Sequence, residues 1–132
     1  MEKYELLLSN LHLIMNITTD RERKQIKDMT IEEIQKYDKK TDEMNDLTKE
    51  ELSHIEYPFS TITLKSFNEN EITFDADTAN GFTVKELIEC IKDVENIARP
   101  ESNWLGGIDI DHIYFEGLGK ISNGVYEIWW GS

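Results

Sequence analysis

The stretch "FSTITLKSFNENEITFDAD", residues 59–77, decides the fold class, because the spacing of its apolar residues is two. Ile62 and Leu64 alternate with polar residues in its first half, and Ile72 and Phe74 alternate with acidic residues and threonine in its second. The "NEN" segment between the halves favours a turn. The stretch therefore predicts a β-hairpin with one apolar and one acidic face.

The segment after this hairpin has the spacing of an amphipathic helix. Thr83 and Glu86 form a Thr-x-x-Glu capping box at its start, and Pro100 favours an end just before it. We predict a helix over 83–98 that packs its apolar side on the sheet. The residues on that side are Val84, Leu87, Ile88, Ile91, Val94 and Ala98.

The segment "ISNGVYEIWWGS", residues 121–132, predicts a second hairpin, because Asn123-Gly124 is typical of a two-residue turn in which both residues have positive φ. That turn sets Gly119 and Gly117 opposite large residues. The implied register pairs Ser122 with Val125, Ile121 with Tyr126, Lys120 with Glu127, Gly119 with Ile128, Leu118 with Trp129 and Gly117 with Trp130. One face then holds Ile113, Phe115, Ile121, Tyr126, Ile128 and Trp130, and the other holds Tyr114, Glu116, Leu118, Lys120, Glu127 and Trp129.

The N-terminal part of the sequence predicts helices. A helix from about Glu2 to Ile17 is apolar on more than one side, so it is either buried between layers or pairs with a second copy through Leu6, Leu13 and Ile17. Residues 20–56 are mostly charged. Capping boxes at Thr19/Glu22, Thr30/Glu33 and Thr48/Glu51 predict further helix starts, and a thin apolar stripe comprises Ile31, Ile34, Tyr37, Met44 and Leu47. This segment is either a solvated helical layer or an extended segment that a partner protein binds.

These elements predict an α+β fold in a single domain over residues 1–132. An N-terminal layer of two or three helices over 1–57 precedes a β-β-α-β-β unit over 58–132. We expect a four-stranded antiparallel sheet with one helix packed on it.

The charge restricts the class of partner. The chain has 14 Lys and Arg against 27 Asp and Glu, a net charge of −13. The excess is spread along the chain, since residues 1–58 carry 9 basic and 14 acidic groups and residues 59–132 carry 5 and 13. Such a charge argues against direct binding to nucleic acid or to anionic membranes, and it favours cationic partners.

The cysteine content and hydropathy favour a cytoplasmic protein. Cys90 is the only cysteine, which excludes an internal disulfide and a zinc site built from several cysteines. No stretch has the apolar length of a membrane span. The N-terminus lacks the basic region and the small-residue cleavage site of a signal peptide.

Two Asp-x-Asp pairs raise the alternative of a Ca²⁺-binding module. Asp109 and Asp111 lie in "GGIDIDHIYFEG" (106–117), where they would share one side of a strand. Asp75 and Asp77 begin "DADTANGF" (75–82), which departs from the calcium-loop pattern because alanine takes its third ligand position. A hard-cation site needs about six oxygen ligands, so we predict no metal or cofactor at either pair.

No nucleophile elbow, phosphate-binding loop, dinucleotide fingerprint or zinc-protease motif is present, so we predict a non-enzymatic protein. The second face of the last hairpin remains, where aromatic residues flank carboxylates. Such a face suits a basic protein surface, because Trp and Tyr contribute contact energy while charge steers encounter. It is either a binding surface or core covered by the first helix. The predicted partner-binding residues are Tyr114, Glu116, Leu118, Glu127, Trp129, Asp75, Asp77, Asp109 and Asp111.

In size, acidity and cysteine content the chain is similar in type to phage anti-defence inhibitors, anti-CRISPR proteins among them, and to toxin-immunity proteins. That similarity implies a nucleic-acid mimic that blocks the basic groove of a nuclease or another nucleic-acid-binding protein. The alternatives are the Ca²⁺-binding module and a structural protein that self-associates, as a homodimer, through the first helix.

Overall fold

The structure, a computed structural model, describes residues 13–14, 17–18, 29–38, 40–66, 70–98 and 114–131. In that part of the chain it contains nine β-strands, two α-helices and a 3₁₀ helix with defined bounds, and a helical pair at Leu13 and Ile14, so the predicted mixture of α and β elements is confirmed. In chain order they are β1 (Ile17–Thr18), the 3₁₀ helix (Ile31–Glu33), β2 (Gln35–Asp38), β3 (Glu43–Asp46), α1 (Lys49–Ser53), β4 (Ile55–Tyr57), β5 (Thr61–Lys65), β6 (Glu71–Asp75), β7 (Phe82–Thr83), α2 (Val84–Ala98), β8 (Tyr114–Ser122) and β9 (Val125–Gly131).

A four-stranded sheet in the order β6-β5-β9-β8 forms the centre of the described structure. Both predicted hairpins are present, with β5 antiparallel to β6 and β8 antiparallel to β9. The prediction of a wholly antiparallel sheet is wrong, because β5 pairs in parallel with β9. Between the two hairpins the chain passes through β7 and α2. This long connection allows the inner strands of the hairpins, β5 and β9, to run in the same direction.

The turn of the last hairpin lies at the predicted residues but has a different conformation. Ser122 lies opposite Val125, as the sequence predicts. Gly124 has a φ of 78°, whereas Asn123 does not have positive φ. A left-handed glycine next to a bulge is typical of three-residue hairpin loops, a common alternative to the predicted two-residue turn.

A bulge in β8 makes the predicted register wrong beyond this first pair. The extra residue, Ile121, places Lys120 opposite Tyr126 instead of Glu127. A slip of one residue turns the following side chains to the other face of the sheet. Leu118 is therefore fully buried, while Ile121 is exposed.

A second bulge lies between Phe115 and Gly117. Gly117 has a φ of 137°, a backbone conformation that favours glycine. This second shift returns Phe115 to the apolar side, where it is buried. β8 thus contributes core residues from both sides of the bulge.

The core lies between the apolar side of the sheet and α2. The predicted apolar side of this helix is confirmed except at Ala98, whose side chain is not described. A fully buried Leu or Ile stabilises the fold by roughly 1.5–3 kcal/mol relative to an exposed one. Ile14, Ile17, Met29 and Ile34 join the same core from the N-terminal segments. The fully buried helix residues are Val84, Leu87, Ile88, Ile91 and Val94.

Capping boxes fix the starts of the described helices. At α2 the backbone N–H of Thr83 donates to Glu86 Oε1 at 2.9 Å, and that of Glu86 donates to Thr83 Oγ1 at 3.1 Å. These bonds satisfy N–H groups that have no partner within the helix. Capping boxes are also present at Thr30 with Glu33 and at Thr48 with Glu51, whereas Thr19 with Glu22 lies outside the described residues.

The predicted N-terminal helical layer over 1–57 is wrong at Gln35–Asp38 and Glu43–Asp46, which are the two strands of a β-hairpin. Tyr37 in β2 lies opposite Met44 in β3, and Asp42 in the turn has a φ of 57°. Because β1 pairs with β2, these strands form a three-stranded sheet where the prediction had helices. The pairing of β2 with its two neighbours overrides the weak helix preference of the charged residues.

The helix predicted from Glu2 to Ile17 is described only at its end. Leu13 and Ile14 are helical, but Ile17 belongs to β1, and the remainder of that prediction lies outside the described residues. β4 pairs with β7, so this part of the predicted helical layer is also a strand. No described helix has the length and apolarity needed to cross a membrane.

Candidate partner-binding face

The side of the four-stranded sheet that points away from the core is open to solvent. Strand alternation sends Ile62, Leu64, Tyr126 and Ile128 inward, where they are buried, and sends their neighbours outward. We call this surface the open face. It consists of Thr61, Thr63 and Lys65 of β5, Glu71, Thr73 and Asp75 of β6, and Val125, Glu127 and Trp129 of β9.

Charged residues form a row across the open face. Lys65 lies opposite Glu71 on one neighbouring strand and opposite Glu127 on the other. Cross-strand neighbours of opposite charge attract, and the register places these three charges in a line across three strands. Asp75 is exposed and adds a third carboxylate at the other end of β6.

A row of small side chains lies beside the charged row. The hydroxyls of Thr63 and Thr73 are hydrogen-bonded at 2.8 Å, and Val125 lies opposite Thr63 on the third strand. β-branched residues have restricted χ1 angles, so these side chains have little rotational freedom.

Trp129 is the large apolar residue of the open face. Its side chain is 47% exposed, and its indole Nε1 donates to Glu127 Oε1 at 3.1 Å. The ring occupies the space above Gly119, where an added Cβ would lie 2.1 Å from the ring carbon Cζ2. The glycine and the carboxylate therefore fix the orientation of an indole that still presents half of its surface to solvent.

The structure brings together three of the predicted partner-binding residues, namely Asp75, Glu127 and Trp129. Asp77 is exposed in the turn after β6, and Leu118 lies in the core because of the bulge at Ile121. Tyr114 and Glu116 lie in β8, but their side chains are not described, and Asp109 and Asp111 are outside the described residues.

The sequence did not identify Lys65, Glu71 and the two threonines as part of the same surface as Trp129. Their alternation predicted an acidic face on the first hairpin, and that signal was available. The parallel pairing of β5 with β9, which joins the two hairpins into one face, could not be predicted from the sequence.

Elsewhere on the molecule, a groove beside α2 differs from the open face in its charge. A groove of about 370 Å³ between the 3₁₀ helix and α2 carries charges that compensate, with Lys85 and Lys92 beside Glu89 and Asp93. Within the described ranges, no group of three or more His, Cys, Asp or Glu residues is placed to hold a metal ion.

Cys90 is buried on α2 and is poorly suited to nucleophilic chemistry. Burial, followed by the charges of Asp93, Glu86 and Glu89, raises the pKa of its thiol to about 12. With this pKa the thiol stays protonated at neutral pH. It is therefore unreactive, because the thiolate is the nucleophilic form.

Comparisons with known proteins give no relative: no family model, no curated protein and no solved structure matches the chain.

Proposed function

We propose that this protein is a non-enzymatic binding protein whose open face docks on a cationic surface of a partner protein. The partner class is a nuclease or another nucleic-acid-binding protein, with the carboxylates of the open face standing where phosphates would bind. The observation that carries the proposal is the orientation of Trp129, held half exposed between Gly119 and Glu127.

The aromatic residue supplies the contact energy in this proposal. Buried Trp residues dominate many protein interfaces, and a rigid indole loses little conformational entropy on binding. Trp129 is already oriented in the free protein, so docking would bury its exposed half without a rearrangement.

The carboxylates supply attraction and orientation. Glu71, Asp75 and Glu127 outnumber Lys65, so the open face itself is acidic within a chain of net charge −13. Complementary charge raises the association rate and suppresses unsuitable partners. It also makes binding sensitive to salt, since the screening length falls from about 10 Å at 0.1 M to about 3 Å at 1 M.

Affinity capture from host lysate with charge-matched variants tests the proposal. Glu127→Lys reverses a charge on the open face, and the control Glu89→Lys makes the same change at an exposed position of α2. We expect wild-type protein and the control to retain a basic protein at about 0.1 M salt, and Glu127→Lys to lose it. Equal retention by both variants would contradict the proposal.

Once a partner is captured, Trp129→Ala measures the aromatic contribution. We expect the Kd to rise by about thirtyfold, the equivalent of a hot-spot residue of about 2 kcal/mol. Thr61→Ala, at the edge of the same face, is the control and is expected to change the Kd by less than about threefold. A similar small effect for both variants would place the contact elsewhere on the molecule.

A further inference from the structure

β6 is an edge strand of the four-stranded sheet, and among the described residues no strand pairs with its outer side. Hydrogen bonds show which of its backbone groups point outward. Thr63, opposite Thr73, donates its N–H away from β6, to the Gly124 carbonyl at 2.8 Å, and the N–H of Ala76 donates to the Ser60 carbonyl of the β5 side at 2.8 Å. Since antiparallel pairs alternate, the odd-numbered residues of β6 direct their N–H and C=O groups outward.

The side chains of β6 specify what could pair there. Glu71, Thr73 and Asp75, whose backbone groups point outward, carry their side chains on the open face. Ile72 and Phe74 point to the core side but are only half buried, because the outer side of the edge leaves part of each uncovered. An added strand would therefore meet carboxylates on one face and apolar surface on the other.

A second copy of this chain is a poor occupant of the edge. Antiparallel self-pairing about Thr73 would set Glu71 of one copy opposite Asp75 of the other, and in-register parallel pairing would bring identical carboxylates together. Like charges directly opposite destabilise strand pairing. Charged edge residues are also a general means by which proteins prevent edge-to-edge association.

We infer that the outer edge of β6 binds an extended segment of the partner as a fifth strand, in which basic residues alternate with apolar ones. The inference rests on the proposed function and deepens it. Basic side chains of that segment would lie beside Glu71 and Asp75 on the open face, while its apolar side chains would cover Ile72 and Phe74. Backbone hydrogen bonds supply affinity in this mode of recognition, and the alternate side chains supply specificity.

Proline at position 73 tests the edge directly. Thr73→Pro removes an N–H that points outward, so it blocks an added strand without removing a hydrogen bond between β6 and β5. Thr73→Ala is the matched control, because it removes the same hydroxyl but keeps the N–H. If Thr73→Pro does not fold, as judged by circular dichroism, Glu71→Pro against Glu71→Ala poses the same question at the first residue of the strand.

The probe is a synthetic peptide in which lysine and valine alternate over about seven residues, a usual strand length. The control peptide has the same composition, but its lysines are grouped at one end. We expect the alternating peptide to bind wild-type protein and Thr73→Ala, in fluorescence anisotropy, at least about tenfold more tightly than it binds Thr73→Pro. The grouped peptide should bind at least about tenfold more weakly than the alternating one.

Equal binding of the two peptides, or equal binding to Thr73→Pro and Thr73→Ala, would overturn the inference. These outcomes are separate from those of the capture experiment, which depends on Glu127 and Trp129 rather than on the edge. Loss of capture with Glu127→Lys but unchanged peptide binding by Thr73→Pro would retain the proposed function and reject the added strand.

Discussion

The indole of Trp129 occupies the space that a side chain at position 119 would fill on the neighbouring strand. Gly119 thus leaves space for an aromatic ring on the solvent side of the sheet. The bond from the indole N–H to Glu127 Oε1 fixes the ring in the same position. The glycine is therefore part of the candidate site although it has no side chain of its own.

Substitution of Gly119 by alanine is expected to displace the indole of Trp129. An added Cβ would clash with the ring, so the ring must move off the strand. This breaks the hydrogen bond to Glu127 and should lower the free energy of unfolding by about 0.5–1.5 kcal/mol. Urea unfolding measures the cost, and the indole N–H resonance of Trp129 reports the broken bond to Glu127. In a Trp129→Ala background the same substitution should cost much less, and an equal cost in both backgrounds would contradict the clash.

Loss of the buried carboxylate of Glu56 is expected to destabilise the fold. Its Oε2 accepts the backbone N–H of Ile14 at 2.7 Å, and the side chain is fully buried. Glu56→Ala removes the acceptor of a buried N–H and should lower the free energy of unfolding by about 1–3 kcal/mol, while Glu56→Gln should cost less because an acceptor oxygen remains. The control is Glu89→Ala, which removes an exposed carboxylate of α2 and should change the free energy of unfolding by less than about 0.5 kcal/mol. An equal loss for both alanine variants would contradict the prediction.

The phenol of Tyr126 is expected to make stability fall in alkaline solution. Burial, followed by the neighbouring Tyr57, raises the pKa of Tyr126 from 10.0 to about 12. The folded state therefore keeps a proton that the unfolded state releases, and this contribution is complete below pH 10 and is lost as pH rises towards 12. Tyr126→Phe should reduce the difference between the urea midpoints at pH 7 and pH 11. An unchanged difference would contradict the raised pKa of Tyr126.

Cys90 is expected to resist alkylation in the folded protein. The raised pKa lowers the thiolate fraction, and the residue is also buried. At pH 8 iodoacetamide should modify native protein at least about a hundredfold more slowly than protein unfolded in urea, as followed by mass spectrometry. Ser53→Cys in a Cys90→Ala background places a thiol at an exposed position of α1 and should react at the rate of the unfolded chain. Comparable alkylation rates for Cys90 and the introduced Cys in native protein would contradict the burial of Cys90 and the raised pKa of its thiol.

Local interactions account for the predictions that the structure confirms. The capping box of Thr83 with Glu86 joins residues three positions apart, and the turn of the last hairpin lies between Ser122 and Val125. Such features depend on neighbours in the sequence, so the pattern of residue types is sufficient to predict them.

The hairpin of β2 and β3 had to be inferred from contacts that the sequence does not reveal. Tyr37 and Met44 fit the apolar stripe of a helix in the sequence, whereas in the structure they lie opposite each other on two strands. The pairing of Ile17 in β1 with Lys36 in β2 adds a third strand. Tertiary pairing of this kind overrides weak helix propensity.

The sequence by itself determined the mixture of α and β elements, the position and apolar side of α2, the two hairpins of the sheet and the acidity of the surface. Each of these follows from residue type and spacing over a few positions. Only the tertiary structure decided that β9 lies beside β5, that bulges turn Leu118 inward, and that Trp129 shares a face with Glu71. The physical reason is that strand neighbours and register depend on the packing of residues far apart in the chain, where one shifted position exchanges the buried and exposed sides.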